Sequence, residues 1–312
     1  MSHIDGLIFV ISRSKNSYAR EAVRRTWGNL KHLKSVQAYA HLRLELIFLL
    51  DIDQFYLVNI KYEQQVFGDL VQVHLPEQYS LSSQRDMAIL HWTETFCSQA
   101  LVTIKTDDDV FTNIFTLASV LVHILSTMNR NSQNNSCLEV KDKDSTAIIY
   151  GVKIETAKAV RSVNDPTSGI SRYVVTDDEY PCRYYPDYMS GFGYMINQRA
   201  RVKLLCVFFR DEKPFPLSDV YITGFLADYA GVVREELLLE VNSRESGDCF
   251  ELFNLKNSYA CASPSHHKLG STVDNDRFQK FNSYWKQINR ARSYYSLIHR
   301  VPFRQLINIS RL

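Results

Sequence analysis

The stretch Leu101-Val102-Thr103-Ile104-Lys105-Thr106, followed at once by Asp107-Asp108-Asp109 and then Val110-Phe111, constrains this chain more than any other. A short apolar run with β-branched residues that ends in three carboxylates reads as a buried strand whose C-terminal end opens on a ligand site. Open α/β sheets bind ligands there, outside the carboxyl ends of their strands. Adjacent carboxylates repel one another unless a cation or solvent compensates. Alternation sends Asp107 and Asp109 to one side and Asp108 to the other, so a hard divalent ion held through an Asp-x-Asp pair is sterically reasonable. A solvated acidic turn or a helix N-cap is the competing reading of the same residues.

Around this segment, short apolar runs alternate with helical periodicity, the pattern of an α/β sheet flanked by helices. Strands are predicted near Leu7–Ile11, Leu44–Leu50, Leu70–His74, Leu101–Lys105 and Ile148–Val152, and helices over Tyr18–Trp27, Gln84–Phe96 and Ile114–Leu125. The segment Asn129–Ser136 has no apolar residue and four Asn, which predicts a surface loop or insertion. Asp165-Pro166, Tyr180-Pro181 and Tyr185-Pro186 then punctuate a loop-rich stretch before helical periodicity resumes near Val220–Tyr229. At 312 residues with no internal repeat, the chain is expected to form a single elaborated domain over residues 1–285 and a basic C-terminal helix or tail over 286–312.

Charge narrows the function classes. Lys and Arg number 36 against 34 Asp and Glu, so no overall basic excess points to nucleic acid as a partner. The balance is uneven, because Arg277–Leu312 holds eight Lys/Arg and no acidic residue. Apolar residues there recur at helical spacing (Phe278, Phe281, Trp285, Ile288, Tyr295, Ile298), which predicts an amphipathic helix. Either it packs on the domain with its basic residues solvated, or it meets an anionic membrane surface or acidic partner. No apolar run reaches the eighteen or so residues of a membrane span, and Met1–Asp5 lacks the basic start of a signal peptide. Six cysteines stand singly, without a Cys-x-x-Cys pair, and the sequons at Asn134 and Asn308 matter only in a secretory lumen; together they lean towards an oxidising compartment. Neither a Walker sequence nor Gly-x-Gly-x-x-Gly is present to hold phosphates by backbone amides. A diphosphate would be held through a metal on the acidic cluster, which suits transfer from a nucleotide sugar.

Four motifs then converge. Arg20-Glu21-Ala22-Val23-Arg24-Arg25-Thr26-Trp27-Gly28 resembles the Arg-x-x-x-Arg-x-Thr-Trp-Gly signature of the beta-1,3-galactosyltransferase family, which includes beta-1,3-N-acetylglucosaminyltransferases and Fringe-like enzymes. Lys105–Phe111 resembles its metal motif, Tyr185–Tyr194 its Tyr-Pro-x-Tyr-x-x-Gly-x-Gly-Tyr loop, and Asp219–Gly224 its Glu-Asp-Val-Tyr-x-x-Gly segment. The motifs occur in family order, and the resemblance covers roughly residues 7–285.

The resemblance implies a GT-A fold with a Rossmann-like mixed sheet, a UDP-sugar donor (UDP-galactose or UDP-N-acetylglucosamine), Mn²⁺, and inverting transfer to a hydroxyl of a glycoprotein or glycolipid glycan. It also implies the lumenal catalytic domain of a Golgi membrane protein. Carried over residue by residue, Asp219 is the general base, although an N-cap role opening the helix from Val220 is compatible with it. Asp109, Asp107 and His267 are the expected metal ligands, with His266 in reserve. Asp107, Asp108, Arg20, Arg24, Arg85, Gly191 and Gly193 are expected around the donor. Arg20 and Arg24, at i and i+4, face either the diphosphate or acidic neighbours; Trp27 is expected in the core; Gly191 and Gly193 either admit a sugar to the backbone or make a tight turn into a strand. Two departures stand out: Ser218 replaces the acidic residue that usually precedes the base, and Leu81-Ser82-Ser83-Gln84-Arg85 stands for Asn-Leu-Thr-x-Lys. A catalytically silent carbohydrate-binding or complex-forming relative, and a phosphohydrolase built on the Asp cluster, are the competing functions.

Overall fold

A computed structural model describes residues 4–128, 144–162, 173–211, 213–237, 249, 260–262, 279–290 and 292. The asparagine-rich segment, both sequons, His266 and His267 lie outside them, as does the tail beyond residue 292.

The chain runs β1 (Gly6–Ile11), α1 (Ser17–Arg25), α2 (Lys31–Lys34), β2 (Leu44–Ile52), α3 (Leu57–Phe67), β3 (Leu70–Pro76), α4 (Ser82–Phe96), β4 (Val102–Asp107), β5 (Val110–Thr112) and α5 (Ile114–Thr127). It continues with β6 (Asp144–Ile154), β7 (Tyr188–Asn197), α6 (Gln198–Phe208), α7 (Ser218–Val220), a π-helical segment Tyr221–Leu226, α8 (Ala227–Tyr229), β8 (Val232–Glu236) and β9 (Ala260–Ala262). A helix over 279–290 ends the described chain.

Seven strands form one mixed sheet in the order β3-β2-β1-β4-β7-β6-β8. β3, β2, β1 and β4 are mutually parallel, β7 is antiparallel to both β4 and β6, and β8 is parallel to β6. Strand order reverses at β1, so the crevice between the carboxyl ends of β1 and β4, where Ile11 is level with Asp107, is the topological switch point.

Both faces of the sheet are covered, which is why the strands read as continuous apolar runs. Ile8 and Val10 of β1 face a core shared with Val23, Phe115 and Trp285, while Leu7 and Phe9 face one shared with Met87, Leu204 and Ile222. Phe281, Tyr284, Trp285 and Ile288 of the terminal helix are buried in the first core, and Trp285 stacks on Phe115 at 5.9 Å. The boundary expected after residue 285 therefore falls inside a helix that packs on the domain.

The Arg20–Gly28 signature is largely architectural. Thr26 closes α1 by donating to Ala22 O at 2.6 Å, and Trp27 is fully buried. A Cβ on Gly28 would lie 2.7 Å from Val23 Cγ1 and 2.8 Å from Val23 O, so the backbone can return over α1 only there. In the second half, the Tyr188–Tyr194 stretch read as a loop is strand β7. Its two glycines lower local strand preference, and pairing to β4 on one side and β6 on the other overrides it.

Candidate active site

The three aspartates stand at the end of β4, and their burial alternates: Asp107 and Asp109 are partly exposed and Asp108 is buried. Asp108 Oδ2 accepts from Ser12 Oγ at 2.7 Å and Asn16 Nδ2 at 2.9 Å, and its N–H donates to Ile11 O at 3.0 Å. The middle carboxylate, expected beside the donor, thus ties the acidic turn to the end of β1. Strand β5 follows the turn directly and pairs with β9, whose Cys261 is disulfide-bonded to Cys249.

Arg20 and Arg24, expected around the diphosphate, take the alternative of structural ion pairing. Arg20 is fully buried and bidentate to Glu63, at 2.8 and 2.6 Å, and donates to Ser12 Oγ, Arg13 O and Ser14 O. Arg24 is bidentate to Asp69 at 2.8 and 2.7 Å, also pairs with Glu63 at 2.8 Å, and lies 4.0 Å from the Phe67 ring centroid. Burial opposes ionisation of Glu63, but the two guanidiniums outweigh it and hold the carboxyl below its ordinary range. Arg85 is likewise engaged, bidentate to the buried Asp51 at the end of β2 and donating to Gln78 O.

The centre of the cleft is Lys105. Alternation along β4 puts it on the same side as Asp107, and its Nζ donates to Asp107 Oδ1 at 2.9 Å and to Gly191 O on β7 at 2.8 Å. Asp86 Oδ2, from α4, lies 4.0 Å from the same nitrogen and accepts from Tyr194 OH at 3.4 Å. Burial would strip the Lys105 proton, yet Asp107 and Asp86 more than compensate and hold the ammonium well above its usual value.

Asp219 sits on the other wall, in the first turn of α7, with Leu217 rather than Asp219 as the N-cap. Its Oδ1 accepts from the Val220 N–H at 2.9 Å. A Cβ on Gly191 would meet Asp219 Oδ2 at 3.1 Å, so the absence of a side chain there lets β7 run close beneath the carboxylate. Gly193 pairs with Thr106 of β4. Burial pushes the Asp219 carboxyl up, with the Val220 N–H and Lys105 pulling against it and the Asp86 charge adding to the rise. The wide π-helical turn behind Asp219 is held by Thr223 Oγ1, which donates to Asp219 O and accepts from Met189 N, and by Arg234, which donates to the carbonyls of Thr223 and Gly224.

Aromatic rings ahead of β7 pack into a small core of their own. Tyr185 stacks on Tyr180 at 5.2 Å and meets Tyr188 and Phe215 edge-on. Burial raises the hydroxyl pKa of Tyr185 to about 12, and the Asp219 charge adds to the effect.

The structure thus brings Asp107, Gly191 and Asp219 together around one ammonium, joins Asp108 to the turn from behind, and directs Arg20, Arg24 and Arg85 to carboxylates. Lys105 and Asp86 were given no role from sequence. A lysine inside a buried strand is itself a signal, since lysine is seldom buried unless paired. Among the described residues no cluster of three or more His, Cys, Asp and Glu forms a complete metal site. Asp107 and Asp109 supply hard oxygen donors suited to Mn²⁺ or Mg²⁺.

The seven-strand mixed sheet, flanked by helices and with an acidic strand end at its switch point, is of the GT-A type. The Galactosyltransferase family model matches residues 18–238, and the chain belongs to that family. Relatives include human Beta-1,3-galactosyltransferase 4, 25% identical over 228 residues (69% of this chain, 58% of that protein). Beta-1,3-galactosyltransferase bre-2 of Caenorhabditis elegans is 26% identical over 250 residues, covering 77% of this chain and 63% of its own. Lactosylceramide 1,3-N-acetyl-beta-D-glucosaminyltransferase B of Danio rerio is 24% identical, covering 69% and 52%. The chain spans under two thirds of the length of these relatives. A solved glycosyltransferase involved in glycosylation of the PBCV-1 major capsid superposes with a TM-score of 0.41 at 12% identity, covering 89% of this chain and 98% of that one.

Proposed function

We propose that this chain is an inverting hexosyltransferase that moves galactose or N-acetylglucosamine from a UDP-sugar to a hydroxyl of a glycan acceptor, forming a beta-1,3 linkage. The observation that carries the reading is the Lys105 hub, which fixes Asp107, on the donor side, and the Gly191 backbone beneath Asp219 from a single nitrogen.

In the transfer, the acceptor oxygen forms a bond to the anomeric carbon as the bond from that carbon to UDP breaks, and UDP departs with the bonding electrons. Asp219 takes the hydroxyl proton. The upward push on its pKa makes it a stronger base than an ordinary carboxylate, and the Val220 N–H holds Oδ1 in place. Asp107 and Asp109 would hold a divalent cation, Mn²⁺ by family resemblance, with His267 as the third ligand. When bound, that cation neutralises charge on the departing diphosphate. Lys105 keeps Asp107 oriented and adds a fixed positive charge beside the leaving group. Gly191 and Gly193 leave room for the sugar against β7, and the half-buried ring of Tyr188 offers an apolar face to the acceptor glycan, on a glycoprotein or glycolipid.

The disulfide Cys249–Cys261, together with disulfide-bonded Cys206, supports folding in an oxidising lumen, in keeping with a Golgi enzyme. No described helix is long and apolar enough to cross a membrane. The basic residues around and beyond the terminal helix suit contact with an anionic membrane surface.

The test is UDP release from UDP-galactose and UDP-N-acetylglucosamine against a panel of acceptor sugars, with and without Mn²⁺, with the anomeric configuration of the product read by NMR. Metal-dependent, acceptor-dependent release with inversion supports the reading. Metal-dependent UDP binding without glycosylation of any acceptor supports a silent relative, the reading that Ser218 favours.

A further inference from the structure

At position 218, before Asp219, a serine stands where the family pattern has an acidic residue. The Ser218 side chain lies against Asp86 of α4. Asp86 is 3% exposed, its Oδ2 is 4.0 Å from Lys105 Nζ, and the same oxygen accepts from Tyr194 OH at 3.4 Å. It lies on the second turn of α4, away from any cap, and faces the buried Lys105 ammonium. Burial pushes its carboxyl up, and the Lys105 ammonium is the main charge that pulls it back.

We infer that Asp86 supplies, from α4, the negative charge that position 218 lacks, and that it acts as a positioning residue for the transfer. The inference rests on Asp219 being the general base. Asp86 reaches Asp219 by two routes. Through Ser218 it holds the turn that carries Asp219. Through Lys105 it sets the β7 backbone beneath Asp219: two Lys105 donor directions go to Asp107 Oδ1 and Gly191 O, and Asp86 balances the ammonium from the third. Without Asp86, Lys105 is drawn towards Asp107 alone, its grip on Gly191 O weakens, and the Gly191–Asp219 approach loosens together with the Ser218 contact. The carboxylate and hydroxyl therefore form an exchangeable pair. Aspartate at 218 and serine at 86 would restore one charge and one contact across the same gap.

The experiment measures kcat and donor KM, Mn²⁺-dependent UDP binding by calorimetry, and thermal unfolding. It compares the wild type, Asp86→Asn, and the exchange Asp86→Ser with Ser218→Asp. Asp86→Asn is expected to lower kcat about 10- to 100-fold, the usual range for a residue that orients a functional group, with donor KM and UDP affinity within about threefold. The exchange is expected to recover kcat to within about fivefold of the wild type. A folded Asp86→Asn variant with wild-type kcat would overturn the inference. So would an exchange variant that folds and binds UDP but stays as slow as Asp86→Asn. Should Asp86→Asn not fold, the exchange variant decides. A wild type with no acceptor-dependent turnover would remove the proposed function and this inference with it; an active wild type indifferent to Asp86→Asn would remove the inference alone.

Discussion

From sequence the arginines of the Arg-x-x-x-Arg signature face either a diphosphate or acidic neighbours, and the structure makes them the cationic half of a buried cluster, which Glu63→Gln tests. Arg20 has a fully buried side chain and Glu63 a side chain 10% exposed, and Glu63 also pairs with Arg24. Removing the carboxylate charge leaves the Arg20 guanidinium desolvated against a neutral amide, while Arg24 keeps Asp69. Breaking a buried pair from one side costs about 3–5 kcal/mol, a third or more of the 5–15 kcal/mol that holds an ordinary domain together. The melting temperature should fall by on the order of 10 °C. Because Glu63 is held below its ordinary pKa of 4.5, its contribution is fully present above that pH and is lost as pH falls through the depressed folded value. The gap between wild type and Glu63→Gln should therefore be complete at pH 7 and narrow only below about pH 4.5. Urea titrations at pH 7 and pH 4 give the two stabilities, and donor KM at pH 7, measured where both proteins are folded, should agree within about threefold. The opposite pattern, unchanged stability with tighter donor binding as freed arginines turn to the diphosphate, would refute the structural assignment.

Other outcomes follow from single contacts. Gly191→Ala places a methyl 3.1 Å from Asp219 Oδ2, so the carboxylate must shift; kcat should drop by about tenfold or more while the melting temperature moves little, as steady-state kinetics and calorimetry would show. Gly28→Ala meets backbone and side chain of Val23 at 2.8 and 2.7 Å with no flexible atom to yield, and should cost about 1–3 kcal/mol in urea unfolding without altering the kinetics of the folded enzyme. Cys261→Ser opens a disulfide between residues 12 apart and should destabilise the strand next to the acidic turn by about 2–4 kcal/mol, with Mn²⁺-dependent UDP binding weakened in parallel.

Much of the sheet was legible because β1, β4 and the second half of β2 are buried and read as apolar runs, while β3, at the edge of the sheet, shows alternation. Strand β6 was read only over Ile148–Val152, a part of its length. β7 was hidden by Gly191 and Gly193, which look like a turn until β4 and β6 are in place to pair with it. The helical periodicity from Val220 was visible, but its π-helical turn depends on Arg234 and Thr223, which meet it only in the fold. At the site, alternation correctly separated buried Asp108 from its two neighbours. The fates of Arg20, Arg24 and Arg85 were not legible, since their carboxylates at Glu63, Asp69 and Asp51 lie between 34 and 45 residues away in sequence. Asp86 and Lys105 escaped for the same reason: their meaning comes from α4, β4 and β7 converging on one nitrogen.

The most direct test of the central claim is acceptor-dependent UDP release by the wild type and by Asp219→Asn, with UDP affinity measured on both. Asparagine keeps the size of the side chain and cannot take the proton. The account predicts a loss of about 10²–10⁴ in kcat with UDP affinity preserved. An Asp219→Asn protein that transfers sugar at the wild-type rate would contradict it.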